Sequence, residues 1–468
     1  MDLLLCSSYY LAHEPMLGAR GQPYAPLGIL YLAAYLRHYE DLKVGVFDAT
    51  FADGIPAFER TLQRLKPSVV GIQGLITTRR TTKQMIQIAK NTDALVVVGG
   101  PDPSSCWESY LHWGADYVVV GEGEVPLRHL MNCLSRKPSA MPIEDIQGLA
   151  FVRSGIVHKT TSLAGIRDLD SIPFPAYDLI DVERYFDAWR EYNGYTSMHL
   201  LTSRGCPFSC EWCSHAVFGR TFRQRSIENV LTEMRLLRDR YNPDHLTIGD
   251  DTFGLNKKWL YRWCDAVERE GLDFRFRCFS RADIVDEEMV RRLKRIGCSH
   301  IHLGVESGSQ RILDSMNKGT RVEDIRRASK LIKDAGIGLG YFIMFAYPGE
   351  TYKDIHKTEQ LILEIKPDTL GLSIAYPVPG TRFYERVREQ LLPLGDHIDE
   401  QMGSGHQLRF KATYPVSYYR CLIRYIEHRF NLYIKKYSFL KGIAVTIIVV
   451  LEYVFLRTFE RLWLLVKR

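Results

Sequence analysis

Thr202-Ser-Arg-Gly-Cys206-Pro-Phe-Ser-Cys210-Glu-Trp-Cys213 places three thiols within eight residues, directly after a short apolar strand, Met198 to Leu201. Thiolates are the usual protein ligands of iron–sulfur clusters, and a four-iron cluster needs four ligands, so three cysteines leave one iron open to bind something else. A structural zinc site with His215 as fourth ligand is the alternative, since thiolate and imidazole suit zinc equally well. Zinc modules usually draw ligand pairs from two separate segments. Here all three thiols lie in one and no other cysteine pair is close in sequence, which favours iron.

Downstream of this loop, strands and helices alternate with clear punctuation. Ser226 caps a helix whose Ile227, Val230, Leu231, Met234 and Leu237 share one stripe, and His245 to Asp251 is a strand. Asn256 opens a helix closed by Gly271, Phe274 to Phe279 is a strand, Asp286 to Ile296 a helix closed by Gly297, and Ile301 to Val305 a strand. A Thr320-x-x-Glu323 capping box, a strand Leu339 to Phe345, a helix Thr351 to Ile365 and a strand Leu370 to Ala375 complete the run. Six βα units over residues 198–400 predict a partial parallel barrel, and the sequence after Gly380 does not supply the two further units of an eightfold one. Barrel chemistry sits at the carboxyl ends of the strands. Those ends read Asp250-Asp251, Ser280-Arg281, Glu306-Ser307-Gly308, Tyr347-Pro-Gly-Glu350 and Tyr376-Pro377. Any one acid alone reads as an N-cap or a surface carboxylate, but four gathered at strand ends read as a site.

Upstream, short β-branched runs at Leu3 to Cys6, Val44 to Phe47, Val69 to Ile72, Leu95 to Val98 and Tyr117 to Val120 have the apolar character of strands buried on both faces. Helical patterns fill the gaps at Leu27 to Tyr39, Ile55 to Leu65, Thr78 to Lys90, Ser104 to His112 and Val125 to Leu134. Residues 1–147 therefore read as a doubly wound, five-stranded parallel sheet, an α/β domain whose ligand binds beyond the carboxyl ends of the strands. Those ends carry Gly74, Gly99-Gly100-Pro101 and Gly121-Glu122-Gly123-Glu124, where glycine lets a ligand approach backbone or simply closes a tight turn.

These residues carry a resemblance. CxxxCxxC with Trp212 before the last cysteine resembles the signature of the radical S-adenosylmethionine superfamily. A doubly wound domain with Pro26-Leu27-Gly28, a GGP turn and a GEGE turn ahead of it resembles the cobalamin-binding domain of cobalamin-dependent radical S-adenosylmethionine enzymes, over about residues 1 to 435. The resemblance implies a 4Fe-4S cluster on Cys206, Cys210 and Cys213, S-adenosylmethionine on the open iron, and cobalamin on the N-terminal domain near Gly28, Gln73, Gly74, Leu75, Thr77, Gly99, Gly100, Gly121, Glu122 and Gly123. Asp-x-His-x-x-Gly, whose His ligates cobalt in other cobalamin proteins, is absent. The resemblance then implies a corrinoid with no His below it, resting on Gln73 to Thr77. Gly304-Val-Glu-Ser-Gly308 resembles the family's fourth-strand segment, which puts Glu306, Ser307 and Gly308 at the ribose and methionine parts of the cofactor. Ser280-Arg281 resembles the pair beside its carboxylate, and Asp250 falls where the methionyl amino group is met. Gly-Asp-Asp replaces the Gly-Gly-Glu of many members, and Phe345-Ala-Tyr-Pro-Gly-Glu lacks a usual Gly before Pro-Gly-Glu, which could narrow the substrate side.

Residues 148–197 read as a connector, with a hairpin signal around Ser154-Gly155 at a sheet edge and an extended Ser171-Ile-Pro-Phe-Pro-Ala-Tyr linker. Residues 401–468 form a helical tail. Tyr437 to Leu456 is twenty residues with Lys441 and Glu452 as its only charges, flanked by Lys435, Lys436, Arg457 and Arg461. It could span a bilayer, lie on its surface, or pack on the barrel.

Ten scattered cysteines in 468 residues, and an N-terminus without the basic region of a secretory signal, fit a reducing cytoplasm rather than a disulfide framework. Residues 420–468 hold ten Lys/Arg against three Asp/Glu, a net +7, which leaves −1 for the rest. A neutral body argues against nucleic-acid binding, while the basic tail suits the inner, anionic face of a membrane. The expected activity is radical methylation of an unactivated carbon in a small-molecule or lipid-like intermediate, fed by an electron donor such as a flavodoxin or ferredoxin. Cyclisation or rearrangement without methyl transfer is the alternative among enzymes. A corrinoid- or zinc-binding protein is the alternative outside them. A methylthiotransferase would need further N-terminal cluster cysteines and a small C-terminal barrel that this chain lacks.

Overall fold

The computed structural model describes residues 1–13, 22–138, 140–392, 408–434 and 439–466. They fall into two compact units. The first is Met1–Pro207 with Ser214–Gly249, and the second holds Phe208–Cys213 with residues 250–392 and 408–466.

The first unit opens with β1 (Leu3–Cys6), β2 (Val44–Phe47), β3 (Val69–Gln73), β4 (Leu95–Gly99), β5 (Tyr117–Val119), β6 (Leu149–Arg153) and β7 (Ile156–Lys159), hydrogen-bonded in the order β2-β1-β3-β4-β5-β6-β7. Strand alternation sends Leu4, Cys6, Val70, Ile72, Val96 and Val98 to one face, against Phe58, Leu62, Met85 and Ile86. It sends Leu3, Leu5, Val69, Val97 and Val119 to the other, against Ile29, Ala33, Leu36, Leu127 and Leu130. Each aliphatic side chain fully buried this way is worth about 1.5–3 kcal/mol, so a sheet apolar on both faces must take helices on both.

Two details differ from the sequence reading. The hairpin of β6 and β7 joins this same sheet, antiparallel to β5, so five parallel strands become seven of mixed direction. The helix expected from Ser104 to His112 is two, Pro101–Ser105 and Trp107–His112, because Pro101 starts a turn early and Cys106 (φ −132°, ψ 38°) leaves helical backbone. The proline-containing connector is followed by a helix, Val182–Asn193, that buries Tyr185, Phe186 and Trp189 and ends at left-handed Gly194. The unit closes with β8 (Ser197–Leu200), β9 (Ser203–Arg204), β10 (Arg223–Gln224) and β11 (His245–Ile248). β8 and β11 are parallel, and β9 and β10 antiparallel.

The second unit is built on β12 (Arg275–Ser280), β13 (Cys298–Glu306), β14 (Gly338–Phe345) and β15 (Thr369–Ile374), parallel and paired in sequence order. With β8 and β11, all six expected barrel strands are present. Phe276 meets Trp263 of the Lys257–Glu270 helix, and the Tyr341 hydroxyl lies 2.5 Å from Ser329 of the Val322–Asp334 helix, so these strand positions face helices. Asn256 and Asp286 cap their helices as expected. The N-cap of Val322–Asp334 is instead Arg321, whose backbone N–H donates to Asp324 Oδ2 at 3.2 Å, because the Thr320 hydroxyl is taken by Arg281 and Asp283.

Two helices end this unit, Val416–Ile434 and Phe439–Val466. The second outruns the expected Tyr437 to Leu456; residues 435–438, with Lys435, Lys436 and Tyr437, and the expected boundary at 400 lie outside the described residues. Tyr453 meets Tyr425 and Phe459 meets Tyr418, while Glu452, the acid inside the apolar run, reaches His428 at 3.0 Å. Its other face is bare: Ile447, Val450, Leu451 and Val454 are each more than half exposed. Gly442–Trp463 is long and apolar enough to cross a membrane, by length and composition.

Candidate active site

In the first unit, the chain leaves β1 for β2 on one side and returns to β3 on the other, a reversal of strand order beyond whose carboxyl ends ligands bind. Here β1 runs into Ser7-Ser8 and β3 into Gln73 to Thr77. The Ser8 hydroxyl donates to the Gln73 carbonyl at 2.7 Å and lies 2.7 Å from Thr78 Oγ1, pinning the two ends together. Gln73 and Leu75 are half-buried and Thr77 is exposed. The glycines let these turns touch. A Cβ on Gly74 would meet Pro103 at 2.6 Å, one on Gly100 (φ 113°) the Gly74 carbonyl at 2.7 Å, and one on Gly28 the Gln73 amide at 2.9 Å. Gly99 accepts a hydrogen bond from Gly74 N at 2.8 Å. The turns after β3 and β4 thus pack directly on one another, and Gln73 to Thr77 contain no imidazole that could meet a corrin resting on them.

The GEGE turn has a role that its sequence did not announce. Glu122 and Glu124 are buried, and both reach Arg204, at 3.4 and 2.7 Å. The Arg204 guanidinium lies over the rings of Tyr31 and Phe218, and Arg223 pairs with Glu122 as well. Two carboxylates and two guanidiniums balance, as buried charges must. The Glu122 side chain is thereby committed to Arg204 and Arg223, and the backbone of Gly121 (φ 93°) and Gly123 stays at the strand end. Arg204 stands two residues before Cys206.

In the second unit, the loop Phe208–Cys213 is held from several sides. Glu211 N donates to the Met316 carbonyl at 2.9 Å, Asn317 Nδ2 to the Ser209 carbonyl at 2.9 Å, and the Tyr347 hydroxyl to Glu211 Oε2 at 3.0 Å. Arg281 lies 3.6 Å from the centre of the Phe208 ring and donates to Cys210 Sγ at 3.6 Å, while Asp283, Thr320 and the Lys318 carbonyl fix its other nitrogens. Lys318 donates to Glu306 Oε1 at 3.1 Å with its ammonium 5.2 Å from the Trp212 ring. Burial raises the Cys210 thiol, and the cations of Lys318 and Arg281 pull against that. Thus Cys210, Trp212, Arg281 and Glu306 come together around Lys318, a residue that sequence reasoning missed because it lies outside every periodic stretch and motif.

Other expected residues have structural partners. Gly308 N donates to Thr358 Oγ1 at 2.9 Å, Ser307 Oγ lies 3.2 Å from the same hydroxyl, and Ser280 Oγ donates to the Phe253 carbonyl. A Cβ on Gly308 would meet the Lys357 carbonyl at 2.6 Å. Asp250 is buried beyond β11. Ala346, where Gly is usual, takes left-handed backbone (φ 68°), and its N–H donates to Glu350 Oε2 at 2.7 Å. Glu350 is wholly buried, which pushes its carboxyl up to about 8.

None of the ten cysteines is in a disulfide, and Cys210 is buried while Cys206 and Cys213 are half-buried. Among the described residues no three His, Cys, Asp or Glu side chains already stand at metal-binding separations, which holds for the three thiols with His215 as for any other set. The donor chemistry suits a cluster all the same: three thiols, with two cations beside one of them to offset the charge of ligated thiolates.

A Radical SAM superfamily model matches residues 200–362, and a B12 binding domain model matches residues 14–131. An uncharacterized methyltransferase of Pyrococcus horikoshii is 32% identical over 369 residues, 77% of this chain and 78% of the relative. An anaerobic magnesium-protoporphyrin IX monomethyl ester cyclase of Cereibacter sphaeroides is 26% identical over 381 residues, 78% of this chain and 61% of the relative. Among solved structures, the radical S-adenosylmethionine methyltransferase TsrM from Kitasatospora setae, with cobalamin and a 4Fe-4S cluster bound, gives a TM-score of 0.69 at 20% identity, covering 83% of this chain and 75% of that one. The cobalamin-dependent S-adenosylmethionine radical enzyme OxsB, with aqua-cobalamin bound, gives 0.72 at 17% identity, covering 99% and 71%. Those two likenesses are of fold. With both domain models matched in one chain, in the order that the cysteine loop and the glycine-lined sheet led one to expect, the protein belongs to the cobalamin-dependent radical S-adenosylmethionine enzymes, which work with a 4Fe-4S cluster, S-adenosylmethionine and cobalamin.

Proposed function

We propose that this enzyme methylates an unactivated carbon of a small-molecule biosynthetic intermediate. The observation that carries this reading is the pairing, in one chain, of a glycine-floored sheet end without a His and a cysteine loop braced by Arg281 and Lys318, in a chain whose 32% identical relative is named a methyltransferase. When bound, the cluster and cobalamin supply an electron for cleaving S-adenosylmethionine and a carrier for its methyl group. The chain's own contribution is positional. Cys206, Cys210 and Cys213 would ligate the cluster, Glu306, Ser307, Gly308, Ser280, Arg281 and Asp250 would hold S-adenosylmethionine, and Gln73 to Thr77 would support the corrin. Arg281 and Lys318 orient the loop and offset thiolate charge, and the buried Glu350 closes the turn after β14 by accepting from Ala346 N. A flavodoxin or ferredoxin would supply the electron.

Anaerobic incubation of the reconstituted enzyme with trideuteriomethyl S-adenosylmethionine and an extract of the source organism tests this. A product carrying the intact trideuteriomethyl group supports methylation. 5′-Deoxyadenosine with an unlabelled, rearranged or cyclised product would overturn it in favour of the cyclase reading, for which the 26% identity to a cyclase over 78% of this chain speaks.

A peripheral membrane location accompanies this reading. The bare apolar face of Phe439–Val466, with Arg457 and Arg461 on the same helix, suits the surface of an anionic bilayer better than water.

A further inference from the structure

The face of β12–β15 that carries Glu306, opposite the helices, also carries four aromatic rings: Phe279, His300, His302 and Phe342. Three of them sit in register beside a glycine on the next strand, His300 beside Gly338, His302 beside Gly340 and Phe342 beside Gly371. A Cβ on those glycines would stand 2.3 Å from His300 Cδ2, 2.1 Å from His302 Nδ1 and 2.7 Å from Phe342 Cδ1. No real side chain allows such separations, so each ring lies down across its neighbouring strand in space that only glycine leaves.

The rings consequently tile the sheet. Phe279 and His302 have centroids 5.4 Å apart at 35°, His302 and Phe342 5.6 Å at 21°, Phe279 and Phe342 6.0 Å at 27°, and His300 and His302 6.3 Å at 23°. Burial and the nearby Arg277 push His302 down to about 4, so this tile is a neutral ring. Phe342 is 41% exposed, in a strand whose other large apolar residues are buried. Arg275 and Arg277, four and two positions before Phe279 on β12, share the face and, against the single carboxylate of Asp368 beside His300, leave that end of the floor net positive. Nothing in the cysteine loop or in the S-adenosylmethionine contacts requires three aligned glycines under three rings.

We propose that this tiled floor is the substrate platform, and that it receives a flat, conjugated ring system whose anionic substituent points toward Arg275 and Arg277. A planar π-surface gains most from an aromatic floor in offset or edge contact, and a puckered, saturated ring cannot match it. The proposal rests on the reading of Glu306 as part of the cofactor site, because continuity with that residue is what puts the platform beside the chemistry.

The test uses the reconstituted holoenzyme under anaerobic conditions and two probes with the same charge and carbon skeleton, 2-naphthoate and decahydro-2-naphthoate, titrated calorimetrically without turnover. Naphthoate is expected to bind at least tenfold tighter than its saturated counterpart, Phe342→Leu to erase that preference, and Phe342→Trp to restore it. Phe279→Leu gives an independent second removal should Phe342→Leu lose its native circular dichroism. Leu451→Lys, on the bare tail helix, should leave the preference unchanged; loss there would put the probe on the tail and overturn the proposal. Equal affinity for the two probes, no binding of naphthoate, or an unaltered preference in folded Phe342→Leu and Phe279→Leu would also overturn it. Binding is read apart from methyl transfer, so a failed methylation assay leaves this result standing, and a failed titration leaves the methyl assay standing.

Discussion

Lys318 Nζ lies 3.1 Å from Glu306 Oε1, with side chains 6% and 12% exposed, and Glu306 itself holds left-handed backbone at φ 63°. A carboxylate held in so costly a conformation, and paired with a buried ammonium, has a fixed direction before any ligand arrives. Glu306→Gln should therefore weaken S-adenosylmethionine binding by about 1.5–3 kcal/mol, the worth of a charge-assisted hydrogen bond, with iron content unchanged. Lys318→Met should follow it, and Lys318→Arg should recover part of the loss. Calorimetric affinity equal to wild type in Glu306→Gln would move the cofactor elsewhere.

Anaerobic reconstitution should load about four irons per chain, and replacing Cys206, Cys210 and Cys213 together by Ala should remove them. Zinc recovered in place of iron, or iron retained by the triple variant, rejects the assignment. Cys278 and Cys298, which face each other on β12 and β13, serve as the control pair whose replacement leaves iron in place.

Cobalamin should bind with no protein nitrogen on cobalt. Electron paramagnetic resonance of the Co(II) form would reveal an imidazole ligand as nitrogen superhyperfine splitting, and its presence is the refuting result. Gly100→Val should abolish corrinoid retention, because a side chain at φ 113° would stand within 2.7 Å of the Gly74 carbonyl.

Glu350 offers a pH signature. Its folded carboxyl is pushed up to about 8 from an ordinary 4.5. Between those values the folded state keeps a proton that the unfolded chain releases, so this group makes stability fall as pH rises through that window. Glu350→Gln should remove the slope, leaving the variant close to wild type near pH 5 and more stable than it above pH 8. Thermal unfolding at the two pH values checks this, and parallel curves for variant and wild type would contradict it.

The tail should hold the protein to anionic vesicles at low salt and release it as salt rises, since surface charge is screened within a Debye length of about 8 Å at physiological ionic strength. Ile447→Lys with Leu451→Lys should weaken this association while leaving cofactor binding unchanged. Indifference of the full chain to anionic vesicles would make the bare face something other than a lipid contact.

Where the sequence was legible, single residues stated the structure unaided. Asn256, Asp286 and Gly271 marked helix ends by cap chemistry, and the alternation of Leu3, Leu4, Leu5 and Cys6 marked a strand buried on both faces. Patterns within one element were readable because each depends on neighbours in sequence. Lys318, Arg204 and the tiles on Gly338, Gly340 and Gly371 were not, since each takes its meaning from a partner in a different element of the chain. Thr320 shows the limit from the other side: its capping sequence is good, yet Arg281 and Asp283 outbid the helix for its hydroxyl. The pairing of Glu122 was hidden for the same reason, as the charge that claims it lies eighty-two residues away.

The cluster of Glu122, Glu124, Arg204 and Arg223 joins the turn after β5 to the strand that leads into Cys206. A balanced set of buried charges cannot lose one member cheaply, so neither end can rearrange alone. Occupancy at the two ends then becomes a matter of reciprocity: if filling the corrin side stiffens the turn, the thiol side is favoured by the same free energy, and the reverse holds with the same magnitude. Four buried side chains, one of them two residues before a thiol, would in that way make the order in which the two cofactors are loaded irrelevant to the final state.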